Sequence, residues 1–179
     1  MVKLLKSLFP LFLGTSILLP VDCARVRIAE SDGKPIRNEI VRHEMHSGIS
    51  RKTRKVSIKK GNSIVSIAEK FIGLPYKYGG TTPEGFDCSG FTSYVYKEAG
   101  YKIPRDTVEQ FDSLNPVRAP KKGDLVFFKI SGNRISHVGI YVGKYKFIHS
   151  PRTGKNVDYA DMRNDYCKQR YAGSRTIVK

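Results

Sequence analysis

From Asn62 to Pro75 the apolar residues Ile64, Ile67, Ala68, Phe71 and Ile72 fall on one face of a helical period, and Gly73 and Pro75 close the segment. The pattern predicts a helix capped by Asn62. A glycine-rich stretch from Tyr76 to Phe86 then breaks every regular period. The next helical face, formed by Phe91, Tyr94, Val95 and Ala99, starts behind the capping residue Asp87 and stops at Gly100. A shorter helix is expected after Pro104-Arg105-Asp106, built on Val108 and Phe111. Further along, the pattern changes to β-rich apolar runs at 125–130, 137–142 and 146–149. Ser131-Gly132-Asn133 and Gly143-Lys144 separate them, so they read as consecutive antiparallel strands joined by hairpins. The stretch 161–167 reads as a short helix near the end of the fold, and there is no internal repeat or low-complexity tract.

This layout puts chemistry at one place. Cys88 takes the first helical position behind Asp87, where free backbone N–H groups and the helix dipole favour a thiolate and are expected to lower the thiol pKa from its usual value of about 8.5. His137 begins one strand and His149 ends the next, so an antiparallel pair brings both imidazoles to the same end of the sheet. A helix N-terminus docked there would complete a relay in which Cys88 is the nucleophile, one imidazole takes its proton and a further polar group orients that imidazole. Each residue has a plainer reading. A buried cysteine is ordinarily a small hydrophobe, and histidines at strand ends are ordinarily surface or packing residues; what singles these out is the combination. The same three residues are also good zinc ligands, but the chain offers neither a C-x-x-C pair nor a local histidine pair within these segments. His43-Glu44-Met45-His46 lacks the fuller helical zinc pattern and reads as a polar linker segment. No metal and no cofactor are predicted.

Four ordered blocks carry a more specific signal: Asp87-Cys88-Ser89-Gly90-Phe91, Gly123-Asp124-Leu125-Val126-Phe127-Phe128, Ser136-His137-Val138-Gly139-Ile140-Tyr141 and Phe147-Ile148-His149-Ser150. Together they resemble the signature of the NlpC/P60 family of cell-wall cysteine peptidases, over roughly residues 62 to 178. The resemblance implies an α+β, papain-like core with the nucleophile helix packed on an antiparallel sheet. It implies Cys88 as nucleophile, His137 as general base and His149 as third member. It also implies Tyr76 at the oxyanion hole and in substrate binding, and Asp87 and Ser89 as flanking positions that in some relatives read a free amino end. The implied activity is hydrolysis of an amide in peptidoglycan stem peptides, either between γ-D-glutamate and the following diamino acid or at the D-alanine to diaminopimelate cross-link. An acyltransferase sharing the thioester, or a non-catalytic wall-binding protein, are the alternatives.

The rest of the chain sets the context. Lys3 and Lys6 precede a broken apolar run from Leu8 to Leu19, which reads as a secretory signal over residues 1–23 and places the protein in the periplasm or cell envelope. Cys23 is a candidate for lipidation and membrane anchoring, but Asp22 stands where a small residue is expected, so cleavage near Cys23 or Ala24 without a lipid is an equal reading. Residues 24–61 read as a basic tether and 62–179 as the single, monomeric peptidase domain. Of the three cysteines, Cys167 is assigned to packing and no structural disulfide is expected. The formal charge of +16 first suggests nucleic acid. The cations are spread along the chain without a nucleic-acid motif, however, so they are read as attraction to the carboxylates of peptidoglycan, with Arg105 a candidate for reading one directly.

Overall fold

The computed structural model describes residues 50–177. The expected signal, the lipidation candidate Cys23 and the histidines His43 and His46 lie outside the described residues. Helix α1 (Arg51–Glu69) begins earlier than its apolar pattern indicates. Ser50 caps it by accepting the Lys52 N–H, and Asn62 lies inside it. Residues 51–61 are therefore helical: they contain good helix formers, and Gly61 is a packing position. A side-chain carbon at Gly61 would overlap the Lys122 carbonyl oxygen, and Gly123 in turn approaches the Gly61 backbone. Gly61, Ile64, Val65 and Ala68 form the buried face of α1.

A small hairpin, β1 (Thr81–Thr82) and β2 (Gly85–Phe86), leads into α2 (Cys88–Glu98). Helix α3 (Thr107–Ser113), capped by Asp106, follows where Pro104-Arg105-Asp106 predicts it. The remaining chain builds a six-stranded sheet from β3 (Asn115–Val117), β4 (Leu125–Phe128), β5 (His137–Gly143), β6 (Lys146–His149), β7 (Asp158–Asp161) and β8 (Tyr171–Thr176). The strand order is β3-β8-β4-β5-β6-β7, antiparallel throughout. Helix α4 (Asp165–Arg170) precedes β8.

Strand alternation divides the core between the two faces of the sheet. Leu125 and Phe127 join Phe86, Phe91, Val95, Val138, Ile140 and Ile148 in the main cluster, against which Cys88 packs. Val126 and Phe128 point the other way, into a smaller cluster with Phe147 and Cys167. Both described cysteines are free thiols, and they pack against opposite faces of the sheet. A bond between Cys88 and Cys167 would require the sheet to be dismantled.

Candidate active site

The site forms where α2 meets the end of the sheet that carries both histidines. Asp87 is the N-cap: its Oδ1 accepts the Gly90 N–H at 2.7 Å. Gly90 allows close approach to the loop, since a side-chain carbon there would overlap the Gly80 carbonyl oxygen. Ser150, fully buried immediately after His149, donates from its hydroxyl to the Phe86 carbonyl at 2.6 Å. The strand bearing His149 is thereby tied to the chain two residues before Cys88.

The Cys88 thiol lies 3.7 Å from the Thr107 hydroxyl and takes hydrogen bonds from the backbone N–H groups of Val138 and Ser89. Val138 follows His137, so the sulfur sits against the start of β5. Nε2 of His137 is 2.7 Å from Nδ1 of His149. The pair predicted to share one end of the sheet is in direct contact, and the other ring nitrogen of His137, Nδ1, takes no part in that contact. The rings are packed by Phe128, 6.3 Å from His137, and Phe147, 4.9 Å from His149.

Electrostatics overturn one expectation from the sequence. Burial pushes the Cys88 thiol pKa up, and it outweighs the lowering by Thr107 and the two backbone N–H groups; Asp87 adds to the rise. Burial pushes His137 down to about 3 and His149 down to about 4, with His149 further depressing His137 and Asp158 partly opposing the shift of His149. At neutral pH the resting site therefore holds a neutral thiol beside two neutral imidazoles.

Residues 73–176 match the family model described as NlpC/P60 family. This chain belongs to the NlpC/P60 family. Its similarity to the murein DD-endopeptidase MepH of Escherichia coli (strain K12) is 38% identity over 140 residues, covering 74% of this chain and 52% of that protein. It is 44% identical over 109 residues to a gamma-D-glutamyl-L-lysine dipeptidyl-peptidase of Bacillus subtilis (strain 168), covering 58% of this chain and 37% of that one. The chain thus spans about half or less of the length of these curated relatives. Among solved structures, an NlpC/P60 family protein from Bacillus cereus superposes with a TM-score of 0.63 at 36% identity, over 66% of this chain and 40% of the other. The NlpC/p60 domain of the peptidoglycan hydrolase SagA gives 0.58 at 37% identity, over 65% of this chain and 98% of the other. The fold is the papain-like α+β architecture of NlpC/P60 domains.

Within this NlpC/P60 core, the remaining sequence candidates gather beside Cys88. Tyr76 is half-buried; burial raises its phenol pKa first, and the proximity of Cys88 and Asp87 raises it further. Arg105 donates to Ser89 Oγ at 2.8 Å and to Asp87 Oδ2 at 2.6 Å, so it braces both neighbours of the nucleophile. Two contributors escaped sequence reasoning. Thr107 and Gln110 lie on the short helix expected from Val108 and Phe111, and neither is among the sequence candidates. Gln110 is fully buried and donates to the carbonyls of Ser89 and Pro104, while Thr92 donates to its Oε1. Its polarity at a core-facing helical position was the available signal.

Proposed function

We propose that this protein is a cysteine endopeptidase that hydrolyses an amide bond in peptidoglycan stem peptides or their cross-links. The observation that carries the reading is the convergence of the Cys88 thiol, bonded to the Val138 N–H, with the His137–His149 contact at 2.7 Å. The names of the relatives, murein DD-endopeptidase and gamma-D-glutamyl-L-lysine dipeptidyl-peptidase, support peptidoglycan as the substrate class.

In this reading His137 Nδ1 takes the thiol proton as sulfur attacks the carbonyl carbon. The backbone N–H of Cys88, at the open start of α2, and the Tyr76 hydroxyl donate to the developing oxyanion. His137 then returns the proton to the leaving amine, and water, deprotonated by the same imidazole, releases the acyl group and restores the thiol. Asp87 and Ser89, braced by Arg105, form the wall on the acyl side. Residues 1–23 act as an export signal, which places the domain of residues 62–179, together with the start of α1, in the cell envelope. Among the described residues no helix is long and apolar enough to cross a membrane.

The test is mass spectrometry of purified monomeric and cross-linked muropeptides after incubation with the protein, beside Cys88→Ala. Cross-linked dimers converted to monomers establish a cross-link endopeptidase. Stem peptides cut after D-glutamate establish the other bond. If neither product depends on Cys88, the reading fails; if a transfer product forms with an added amine and no hydrolysis occurs, the protein is an acyltransferase.

A further inference from the structure

The two histidines constrain each other's protons. The contact joins His137 Nε2 to His149 Nδ1, and one proton lies between them. A neutral pair has two arrangements. If His149 donates from Nδ1, His137 carries its own proton on Nδ1 and has no lone pair there to receive one from a thiol. If His137 donates from Nε2, its Nδ1 is bare, and His149 carries its proton on Nε2. Only the second arrangement makes His137 a base toward Cys88. The contact between the rings does not choose between them, so an acceptor facing His149 Nε2 would favour the second.

Asp158 stands where that choice is made. The β6–β7 register sets it directly opposite His149, and side chains paired in this way share a face with Cβ atoms about 4.5–5.5 Å apart. Both residues line a cleft of ≈ 600 Å³ together with Arg152, Lys155 and Tyr159. Arg152 and Lys155 are cationic, and Tyr159 donates its hydroxyl to Glu69. Asp158 is thus the carboxylate among the described residues that line this cleft. Its Oδ1 accepts the Tyr159 backbone N–H at 2.7 Å, which leaves Oδ2 for the cleft. On the opposite side, the charged neighbours of the thiol are Asp87 and Arg105, paired with each other.

We propose that Asp158 is a positioning residue that holds His149 as its Nε2–H tautomer and thereby keeps Nδ1 of His137 free for the Cys88 proton. A carboxylate on that side favours a ring whose N–H end faces it, directly or through one water molecule. It also stabilises the positive charge on the histidine pair after His137 has taken the proton. Asp158 exchanges no proton; the thiol proton goes to His137 Nδ1 and then to the leaving amine.

This inference rests on the cysteine-hydrolase reading, and its test has one arm that needs no substrate. Long-range proton–nitrogen NMR of the full chain labelled at histidine should show His137 and His149 both protonated on Nε2. In Asp158→Ala the His149 population should shift toward the other tautomer. With a muropeptide, the same variant should lose roughly 10-fold in kcat with little change in KM, and the acid limb of its pH profile should move to lower pH. Asp158→Glu should restore most of both. An Nδ1-protonated His149 in the unmodified protein overturns the proposal, as does an Asp158→Ala protein with unchanged tautomers and an unmoved acid limb. A failure of the hydrolase reading looks different: the unmodified protein turns over no muropeptide whatever the tautomers are.

Discussion

At the scale of single residues, the site is governed by burial more than by the helix dipole. The sequence places Cys88 at a helix start and so suggests a stabilised thiolate, but position along the chain does not reveal how much water the fold removes. The folded site raises the thiol and depresses both imidazoles. A consequence for stability follows by linkage. His137 and His149 lie near 3 and 4 in the folded protein against 6.5 when free, so in acid the unfolded chain takes up protons first. Their contribution is complete above about pH 6.5 and is lost as pH falls through the window down to about 3. Urea midpoints should therefore fall steadily from neutral pH into this window, and a His137→Gln, His149→Gln double variant should show a shallower fall; equal slopes would show that the pair is not buried as described. Thr107 lowers the thiol pKa through its hydroxyl, 3.7 Å from the sulfur. Thr107→Val should slow alkylation of Cys88 by iodoacetamide several-fold near neutral pH while leaving the rate at high pH almost unchanged. An unchanged neutral rate would remove Thr107 from the site.

At the scale of elements, the turn at residues 122–123 anchors two helices. Helix α1 presses Gly61 against the Lys122 carbonyl, and Tyr96 of α2 donates its hydroxyl to the Gly123 carbonyl. This is why Gly61, which looks like a boundary in the sequence, sits inside a helix. Two effects of Gly61→Ala oppose each other. Helix propensity favours alanine by about 0.8–1 kcal/mol, while forcing a methyl group into closed packing costs about 1–3 kcal/mol. The overlap is with backbone and not with a flexible side chain, so the steric cost should win and the melting temperature should fall. A rise would show that α1 does not dock on this turn. Two strands illustrate the same limit of local patterns. β7 and β8 carry polar or glycine-containing sequences without clean alternation, and neither is visible in the chain. Their partners in the ladder, and not their own residues, make them strands.

For the whole molecule, the formal charge of +16 now has a partial location. Arg51, Lys52, Arg54, Lys55, Lys59 and Lys60 all lie in the first three turns of α1, with no acidic residue until Glu69 closes the helix. A basic helix start joined to a peptidase-like core should hold the protein on an anionic mesh by attraction that salt screens. Pelleting with purified sacculi should weaken as ionic strength rises, and replacing Lys52, Lys55 and Lys59 by Gln should reduce it further. Cleavage of a small soluble muropeptide should respond far less to either change. Equal sensitivity of the two assays would place the important charge at the catalytic cleft and not on α1.

The sequence by itself determined the family, the helix that presents Cys88 with its Asp87 cap, and the pairing of His137 with His149. The family rests on the resemblance of four ordered sequence blocks to its signature, and the other two on local periods, capping chemistry and hairpin connections, which act between residues close in the chain. Tertiary structure alone decided the protonation of the site, the bracing of Asp87 and Ser89 by Arg105, the seat of Thr107 beside the thiol and the placement of Asp158 opposite His149. These depend on desolvation and on cross-strand or helix-to-helix contacts, and no window along the chain contains both partners of such a contact.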